Sequence, residues 1–234
     1  ALLRLEKKRS DFSGHLFIES SLPLGAGMGG SAALCVGVAR LMAAKGWIEE
    51  ESIFKFARDL EDLFHGESSG VDIAVSLAGE PIQFQRNLEA GRSAAFREPL
   101  DLAWVPQLYL SYCGKKGVTS ECVKRVRALR EQSEKRAHEI DERMAAAVFA
   151  ARSALREAPS IGSFEKLKEA LNKARTCFED WGLLSPELSN HIRELERAGA
   201  EGVKPTGSGG GGYVLSLWRQ APPESLSSQL IAVL

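Results

Sequence analysis

Two glycine-rich segments near opposite ends of the chain are the features most suited to chemistry. The first, LPLGAGMGGSAA, covers residues 22–33, and the second, GVKPTGSGGGG, covers residues 202–212. Glycine lets a backbone approach a ligand closely, and the N-terminus of a helix gathers free N–H groups at one point. Because an apolar helical sequence follows the first segment, we expect this segment to bind phosphate. A tight turn between a strand and a helix is the alternative.

Two common nucleotide-binding patterns do not account for the first segment. Gly25, Gly27 and Gly30 satisfy the pattern G-x-G-x-x-G. The dinucleotide fold also requires a strand that ends in an acidic residue about 20 positions later. Here the acidic residues 49–51 open a helix instead, and no Gly-Lys-Ser/Thr follows the glycines as a P-loop requires.

The charge balance and the cysteines exclude several classes of protein. The chain has 234 residues, with 30 Lys and Arg against 31 Asp and Glu. A near-neutral balance gives no electrostatic footprint for nucleic acid or anionic lipid, and no apolar run is long enough to span a bilayer. The four cysteines are widely spaced without a C-x-x-C pair, which disfavours a disulfide framework and a structural zinc site. We therefore expect a cytoplasmic protein without a nucleic-acid or membrane partner.

The elements that position these segments follow from hydrophobic periodicity. In the first half of the sequence, this periodicity predicts a strand at 15–20, helices at 31–44 and 49–64, and strands at 81–85 and 104–112. The second half predicts a long helix over 120–157, helices at 164–182 and 186–200, and a closing strand at 213–218. We expect an α+β fold of two domains. A mixed α/β N-terminal domain takes residues 1–105, and a helix-rich C-terminal domain with a small antiparallel sheet takes residues 106–234.

Three motifs in fixed order resemble those of the GHMP kinases. LPLGAGMGGSAA resembles their second motif, P-x-x-x-G-L-G-S-S-A-A, and KPTGSGGGG (204–212) resembles their third, K-x-T-G-A-G-G-G-G. HGESSGVDIAVSLAG (65–79) is similar to the H-G-x-P-S-G-x-D segment of the mevalonate-kinase branch. The resemblance implies a two-domain kinase that uses ATP and Mg²⁺ to phosphorylate a small alcohol, above all the 5-hydroxyl of mevalonate.

The chain departs from the family pattern at several positions. Gly30 replaces the first Ser of the usual pair, Met28 replaces Leu, and Glu67–Ser68 replaces the usual x-Pro. The family's first motif, with a Lys and a Gly-Glu-His sequence, has no counterpart, and the chain starts at Ala1 without Met. We therefore expect the native protein to extend upstream of Ala1 and to contain a segment that bears the lysine.

The resemblance also implies roles for individual residues. Asp72 would be the catalytic carboxylate that activates the hydroxyl, and Ser31 and Glu61 would hold Mg²⁺, which prefers hard oxygen ligands. From the residues alone two plainer interpretations stay open. Asp72 could cap a helix, and Glu61, beside Asp62, could be a solvated helix residue.

The remaining implied roles concern binding. ATP would contact the two glycine loops through Pro23, Gly25, Ala26, Gly27, Met28, Gly29, Gly30, Ser31, Ala32, Gly207, Ser208, Gly209 and Gly210. The substrate would lie near His65, Ser69, Gly70, Thr119, Lys204 and Thr206. Three alternatives are a structural histidine at 65, a helix cap at 119 and a flexible linker at 207–212.

Two other functions and one assembly state are consistent with the sequence. Another GHMP kinase, such as a phosphomevalonate kinase, would carry the same loops. A non-catalytic nucleotide-binding relative would fit the missing lysine motif. A homodimer is an arrangement that the sequence leaves open.

Overall fold

The computed structural model describes residues 5–6, 14–20, 28–65, 68–86 and 95–233. The chain forms two compact units. The first ends at Leu100 and the second begins at Asp101, while Met28 groups with the second unit. Each unit has its own hydrophobic core, so each is described by itself.

Three helices and a hairpin make up the described part of the first unit. They are α1 (Gly30–Ala44), α2 (Ile53–His65), α3 (Val71–Ala78), β1 (Ile82–Arg86) and β2 (Ala95–Pro99). A single 3-10 turn over Glu50–Ser52 leads into α2. The two strands pair in antiparallel register, with Phe84 opposite Arg97.

The core of the first unit fixes where α1 and α3 begin. Helix α1 buries small and apolar side chains at three- and four-residue spacings, among them Ala32, Cys35 and Ala39. Helix α2 contributes Phe56, Ala57 and Leu60, and α3 contributes Ile73 and Ala74. Small side chains on α1 let the neighbouring helices pack closely, so the first turns of α1 and α3 are held by the core rather than by loops alone.

Four helices form most of the second unit. They are α4 (Thr119–Gln132), α5 (Glu134–Arg156), α6 (Ile161–Asp180) and α7 (Pro186–Arg197). Serine side chains cap the last three: Ser133 accepts from the Arg136 N–H, Ser160 from the Ser163 N–H, and Ser185 from the Leu188 N–H. These caps satisfy N–H groups that the helix itself leaves unpaired.

A four-stranded antiparallel sheet completes the second unit. Its strands are β3 (Gln107–Tyr112), β4 (Gly202–Pro205), β5 (Tyr213–Trp218) and β6 (Ile231–Ala232), in the spatial order β4-β5-β3-β6. Helix α7 packs against the sheet through Leu188 and Ile192, which join Val203 and Val214 in one cluster. The connection from β4 to β5 is the second glycine segment, so both of its ends are anchored in the sheet.

The two-part α+β architecture and the small antiparallel sheet confirm the predicted fold class. The strand predicted at 15–20 is wrong: no strand in the described ranges pairs with this segment, and Phe17 is 86% exposed. An extended segment becomes a strand only when its backbone groups find a partner. The long helix predicted over 120–157 is two helices, because Ser133 adopts an extended conformation and caps the second. Strands β2, β4 and β6 were not predicted.

A half-buried histidine links α7 to the sheet of the second unit. His191 Nε2 and Ser111 Oγ form a 2.8 Å hydrogen bond, and His191 Nδ1 lies 3.7 Å from a carboxylate oxygen of Glu194. A cavity of about 30 Å³ between them is also lined by Leu226 and Leu230. Burial lowers the pKa of His191 and outweighs the opposing effect of Glu194.

This histidine makes stability depend on pH. The unfolded chain takes up a proton near the ordinary histidine pKa, while the folded chain resists protonation, so stability should fall as pH drops below about 6.5. We expect the melting temperature of His191→Gln to change less than that of the parent between about pH 7 and 5.5. The reason is that only the parent has this group to titrate. Equal slopes in the two proteins would contradict this assignment.

Candidate active site

The N-terminus of α1 has the properties of an anion site. Its N-cap residue, Gly29, has a left-handed φ of 70°, which an L side chain adopts only with strain. The Ala33 N–H donates to the Gly29 carbonyl at 2.9 Å and begins the helical ladder. No side chain caps this end, and the first turn has no acidic residue. The backbone donors of the first turn and the helix dipole therefore favour an anion here.

Asp72 lies against this helix terminus. A Cβ built on Gly29 would be 3.7 Å from Asp72 Cβ and 3.8 Å from its Cγ, although the two residues are far apart in sequence. Asp72 is the second residue of α3, and the N-cap of that helix is Gly70, with a φ of 83° and no side-chain cap. The interpretation of Asp72 as the cap of this helix is therefore wrong. Its carboxylate is exposed beside the first turn of α1.

Glu61 is a buried carboxylate. It is 3% exposed, near the end of α2, so the interpretation as a solvated residue is wrong. Ser68 Oγ donates to Glu61 Oε2, and Ser68 Oγ itself accepts from the Gly70 N–H at 3.1 Å. The Ser68 N–H donates to Asp62 Oδ1 at 2.6 Å. The two adjacent acids therefore differ. The carboxylate of Asp62 accepts a hydrogen bond from the backbone of the turn, while the side chain of Glu61 is buried.

The negative charge of Glu61 acts on the thiol of Cys35, which belongs to α1. The pKa of the Cys35 thiol is raised to about 11, first by burial and then by the negative charge of Glu61. Cys35 lies one helical turn after Ser31, on the same face of α1. Cys35 of α1 and Leu60 of α2 also belong to one hydrophobic cluster, so Glu61 is carried by the helix that packs beside α1. A serine hydroxyl and a carboxylate near one helix terminus form a donor set that fits Mg²⁺, which takes hard oxygen ligands.

The described residues hold no cluster of three or more His, Cys, Asp or Glu side chains suited to binding a metal ion. A magnesium ion at Ser31 and Glu61 would thus take its remaining ligands from water and from phosphate oxygens, as this ion commonly does.

The second glycine loop is closed at its base and held along its length. Thr206 donates to the Tyr213 carbonyl twice, through its N–H and its hydroxyl, both at 3.0 Å. The Gly210 N–H donates to the Leu183 carbonyl and the Gly212 N–H to the Lys115 carbonyl, each at 2.7 Å. The interpretation of this loop as a flexible linker is therefore wrong.

A segment before α4 fits tightly against this loop. A Cβ on Gly117 would be 2.7 Å from the Gly209 carbonyl oxygen, and a Cβ on Gly211 would be 2.8 Å from the Gly117 N. Such distances leave no room for any side chain at either position. Ser208 Oγ donates to Thr119 Oγ1 at 3.2 Å. Thr119 makes no cap, since the N-cap of α4 is Val118 and it has no side-chain cap bond.

Lys204 lies at the base of the same loop, at the end of β4. Its Nζ donates to the Pro205 carbonyl at 2.6 Å and lies 5.7 Å from the ring centroid of Phe178. Burial lowers the pKa of Lys204 to about 8. In the part of the chain that the structure describes, no ion pair is formed by this ammonium. A half-buried cation without a carboxylate partner favours binding of an anion.

The predicted site residues divide into those that are described and those that are not. Pro23, Gly25, Ala26 and Gly27 lie outside the described residues, as does the side chain of His65. In the first unit, Gly29, Ser31, Glu61, Gly70 and Asp72 are positioned by α1, α2 and α3. In the second, Thr119, Lys204, Thr206 and Ser208 belong to one loop assembly.

Several other predicted residues have limited or structural roles in what is described. Ala32 has a fully buried side chain, so only its backbone is suited to a ligand. Ser69 is exposed, and its Oγ accepts from the Val71 N–H at 3.3 Å. Met28 and Gly30 are half-buried.

Sequence reasoning missed two residues that support these sites. Ser68 holds Glu61, and the available signal was its departure from the usual proline of the family segment. Gly117 makes room for the second loop, and no signal in the sequence marks this glycine apart from the others.

The comparisons with known proteins define the class. The model described as "GHMP kinases N terminal domain" matches residues 1–80, and "GHMP kinases C terminal" matches residues 151–234. The chain is 29% identical over 226 residues to the mevalonate kinase of Archaeoglobus fulgidus and 31% identical over 238 residues to that of Thermococcus gammatolerans. These alignments cover 96% and 98% of this chain, and 72% and 68% of those two enzymes. The chain belongs to the GHMP kinase family.

A solved structure shares the fold. The structure of L. major mevalonate kinase in complex with R-mevalonate matches with a TM-score of 0.69 and 22% identity. The match covers 82% of this chain and 57% of that one, so this chain spans less than two thirds of the L. major protein. No helix in the described ranges is long and apolar enough to cross a membrane.

Proposed function

We propose that the protein is a kinase that transfers a phosphoryl group from ATP to the 5-hydroxyl of mevalonate. The named activity of the two archaeal relatives supports this acceptor. The observation that carries the proposal is the position of Asp72 beside the uncapped N-terminus of α1. A phosphate site and a carboxylate in contact are what phosphoryl transfer to an alcohol requires.

In this proposal each group in the first unit has one task. The first-turn N–H groups of α1 hold phosphate oxygens, and Asp72 orients the hydroxyl and accepts its proton. The hydroxyl oxygen forms the new bond to phosphorus, the bond to the bridging oxygen breaks, and ADP leaves. Because Asp72 lies beside Gly29, the hydroxyl that it orients would be adjacent to the phosphate, and such positioning supplies much of the catalysis in reactions of this type.

The cation that such a reaction uses would bind at Ser31 and Glu61. Mg²⁺ would neutralise charge that develops on the phosphate oxygens. Ser68 serves this site by donating to Glu61, which fixes the orientation of the carboxylate.

The second unit would bind ligand through its own loop. Lys204 supplies a half-buried positive charge, and the hydroxyls of Ser208 and Thr119 lie beside the same glycines. We assign this assembly to anionic groups of the nucleotide or the acceptor. Because the loop is held by hydrogen bonds at Leu183 and Lys115, it would need little ordering when a ligand binds.

A substrate panel tests the proposal. The native protein is assayed for ADP release with mevalonate, phosphomevalonate and other small alcohols. We expect the highest kcat/KM with mevalonate. A preference for phosphomevalonate would reassign the acceptor within the family. ATP binding without turnover of any alcohol would indicate a non-catalytic relative and contradict the proposal.

We further propose that this activity takes place in the cytoplasm. All four cysteines are free thiols, and three of them, Cys35, Cys122 and Cys177, are buried. Unpaired thiols are typical of a reducing compartment.

A further inference from the structure

A serine hydroxyl in the turn between α2 and α3 forms hydrogen bonds on both sides. Ser68 Oγ donates to a carboxylate oxygen of Glu61 and accepts from the Gly70 N–H at 3.1 Å. Glu61 belongs to α2, and Gly70 is the N-cap of α3. Ser68 is buried, so water competes little for these bonds. One hydroxyl therefore joins the carboxylate assigned to the cation with the first turn of the helix that carries Asp72.

The backbone of Ser68 is held by the same helix. Its N–H donates to Asp62 Oδ1 at 2.6 Å, so two consecutive acids near the end of α2 bind the amide and the hydroxyl of one residue. Proline, which the family segment usually has at this position, offers neither an N–H nor a hydroxyl. These bonds are therefore features of this chain and are not part of the family pattern.

Close packing against α2 limits how far Gly70 can move. A Cβ built on Gly70 would be 3.2 Å from Arg58 Cδ and 3.2 Å from Phe54 Cζ, and both side chains are buried on α2. The Gly70 carbonyl accepts from the Ala74 N–H at 2.9 Å, which begins the hydrogen-bond ladder of α3. Asp72 lies within this first turn. Because the turn is tightly packed, a change in the bonds of the serine hydroxyl would alter the position of the first turn of α3.

We propose that Ser68 is a positioning residue that couples the carboxylate of the cation site to Asp72. The inference rests on the proposed function, in which Glu61 binds Mg²⁺ and Asp72 orients the acceptor hydroxyl. A hydroxyl that donates to a charged carboxylate is polarised and accepts more strongly in turn. Neutralisation of the Glu61 charge by a cation would therefore weaken the bond that Ser68 Oγ accepts from the Gly70 N–H. The hydrogen bond at the start of α3 thus depends on occupancy of the cation site.

Nuclear magnetic resonance of the backbone amides tests this coupling without turnover. The native protein and its variants are isotopically labelled, saturated with a non-hydrolysable ATP analogue and titrated with Mg²⁺. We expect the Gly70 amide resonance of the parent to shift during the titration, because the bond that this N–H donates weakens. The shift should be lost in Ser68→Ala even at saturating Mg²⁺, and Ser68→Thr, which keeps the hydroxyl, should restore it. Glu61→Gln keeps Ser68 and should also abolish the shift, so the test does not depend on the folding of Ser68→Ala.

Affinity and kinetics give a second measurement of the same coupling. The Mg²⁺ concentration for half-maximal nucleotide binding should rise about 10-fold in Ser68→Ala, because a metal ligand loses its hydrogen-bond partner. The kcat with mevalonate should also fall about 10-fold at saturating Mg²⁺, while the KM for mevalonate stays within about twofold of the parent. Ser52→Ala is the matched control and should match the parent, because it removes an exposed serine hydroxyl at the opposite end of α2 from Glu61.

Two results would overturn the proposal. The first is a Gly70 amide that responds to Mg²⁺ in Ser68→Ala as it does in the parent. The second is a lower melting temperature of Ser68→Ala with the kcat and the Mg²⁺ dependence of the parent, which would make Ser68 a purely structural residue. A parent that phosphorylates no alcohol, but whose Gly70 response requires the Ser68 hydroxyl, would contradict the proposed kinase activity and still support the coupling.

Discussion

Asp72→Asn should lower the turnover of mevalonate by about 10²–10⁴-fold, the range expected for one acid–base group. Asparagine keeps the size of the side chain but removes the negative charge and most of its ability to accept a proton. The affinity for ATP should change little, because backbone donors of α1 and the cation supply that binding. We therefore expect the loss in kcat, measured as mevalonate-dependent ADP release, with ATP affinity measured by calorimetry.

The melting temperature is the control for this variant. Asp72 lies in the first turn of α3, where a negative charge interacts favourably with the helix dipole. Loss of that interaction from an exposed position is worth about 0.3–1 kcal/mol, far too little to explain a large loss of turnover. Turnover equal to that of the parent would remove Asp72 from the mechanism, and with it the main support for the kinase proposal.

Glu61→Gln should raise the concentration of Mg²⁺ needed for half-maximal binding of ATP by about 10–100-fold. Glutamine retains an oxygen that accepts from Ser68 Oγ, so the local hydrogen bond survives. The charge that attracts the cation is lost, and a metal site is worth several kcal/mol to this class of reaction. Calorimetric titration of ATP binding at increasing Mg²⁺ measures the effect without relying on turnover.

Asp62→Asn is the matched control, one residue away. Asp62 accepts from the Ser68 N–H through Oδ1, and asparagine can accept in the same way. Because Asp62 is turned to the backbone of the turn, its replacement should leave the Mg²⁺ dependence within about twofold of the parent. Equal effects of the two variants would mean that the wrong carboxylate has been assigned to the metal.

The local elements of the candidate site could be predicted from sequence. Glycines at 25–30, followed by small apolar residues, predict a loop that enters a buried helix, and α1 begins at Gly30. Gly70 followed by Val71 and Asp72 predicts a turn at the start of an apolar segment, and α3 begins there. These signals are local because they depend on backbone preferences and on the periodicity of a few neighbouring residues.

Two failures of prediction concern segments whose state depends on distant partners. The apolar pattern at 15–20 favours a strand, yet no strand of the described residues pairs with this segment. The helical pattern over 120–157 is continuous by propensity, and only the geometry at Ser133 divides it into α4 and α5. Propensity is a weak prior that tertiary context overrides.

The sequence by itself determined the family motifs, their order and the types of residue available for chemistry. Only the tertiary structure decided which of two adjacent acids, Glu61 or Asp62, is buried, and that Asp72 lies beside Gly29. Both outcomes follow from how α1, α2 and α3 pack. Burial and contact between residues far apart in sequence are set by the docking of whole elements, which no short window of sequence contains.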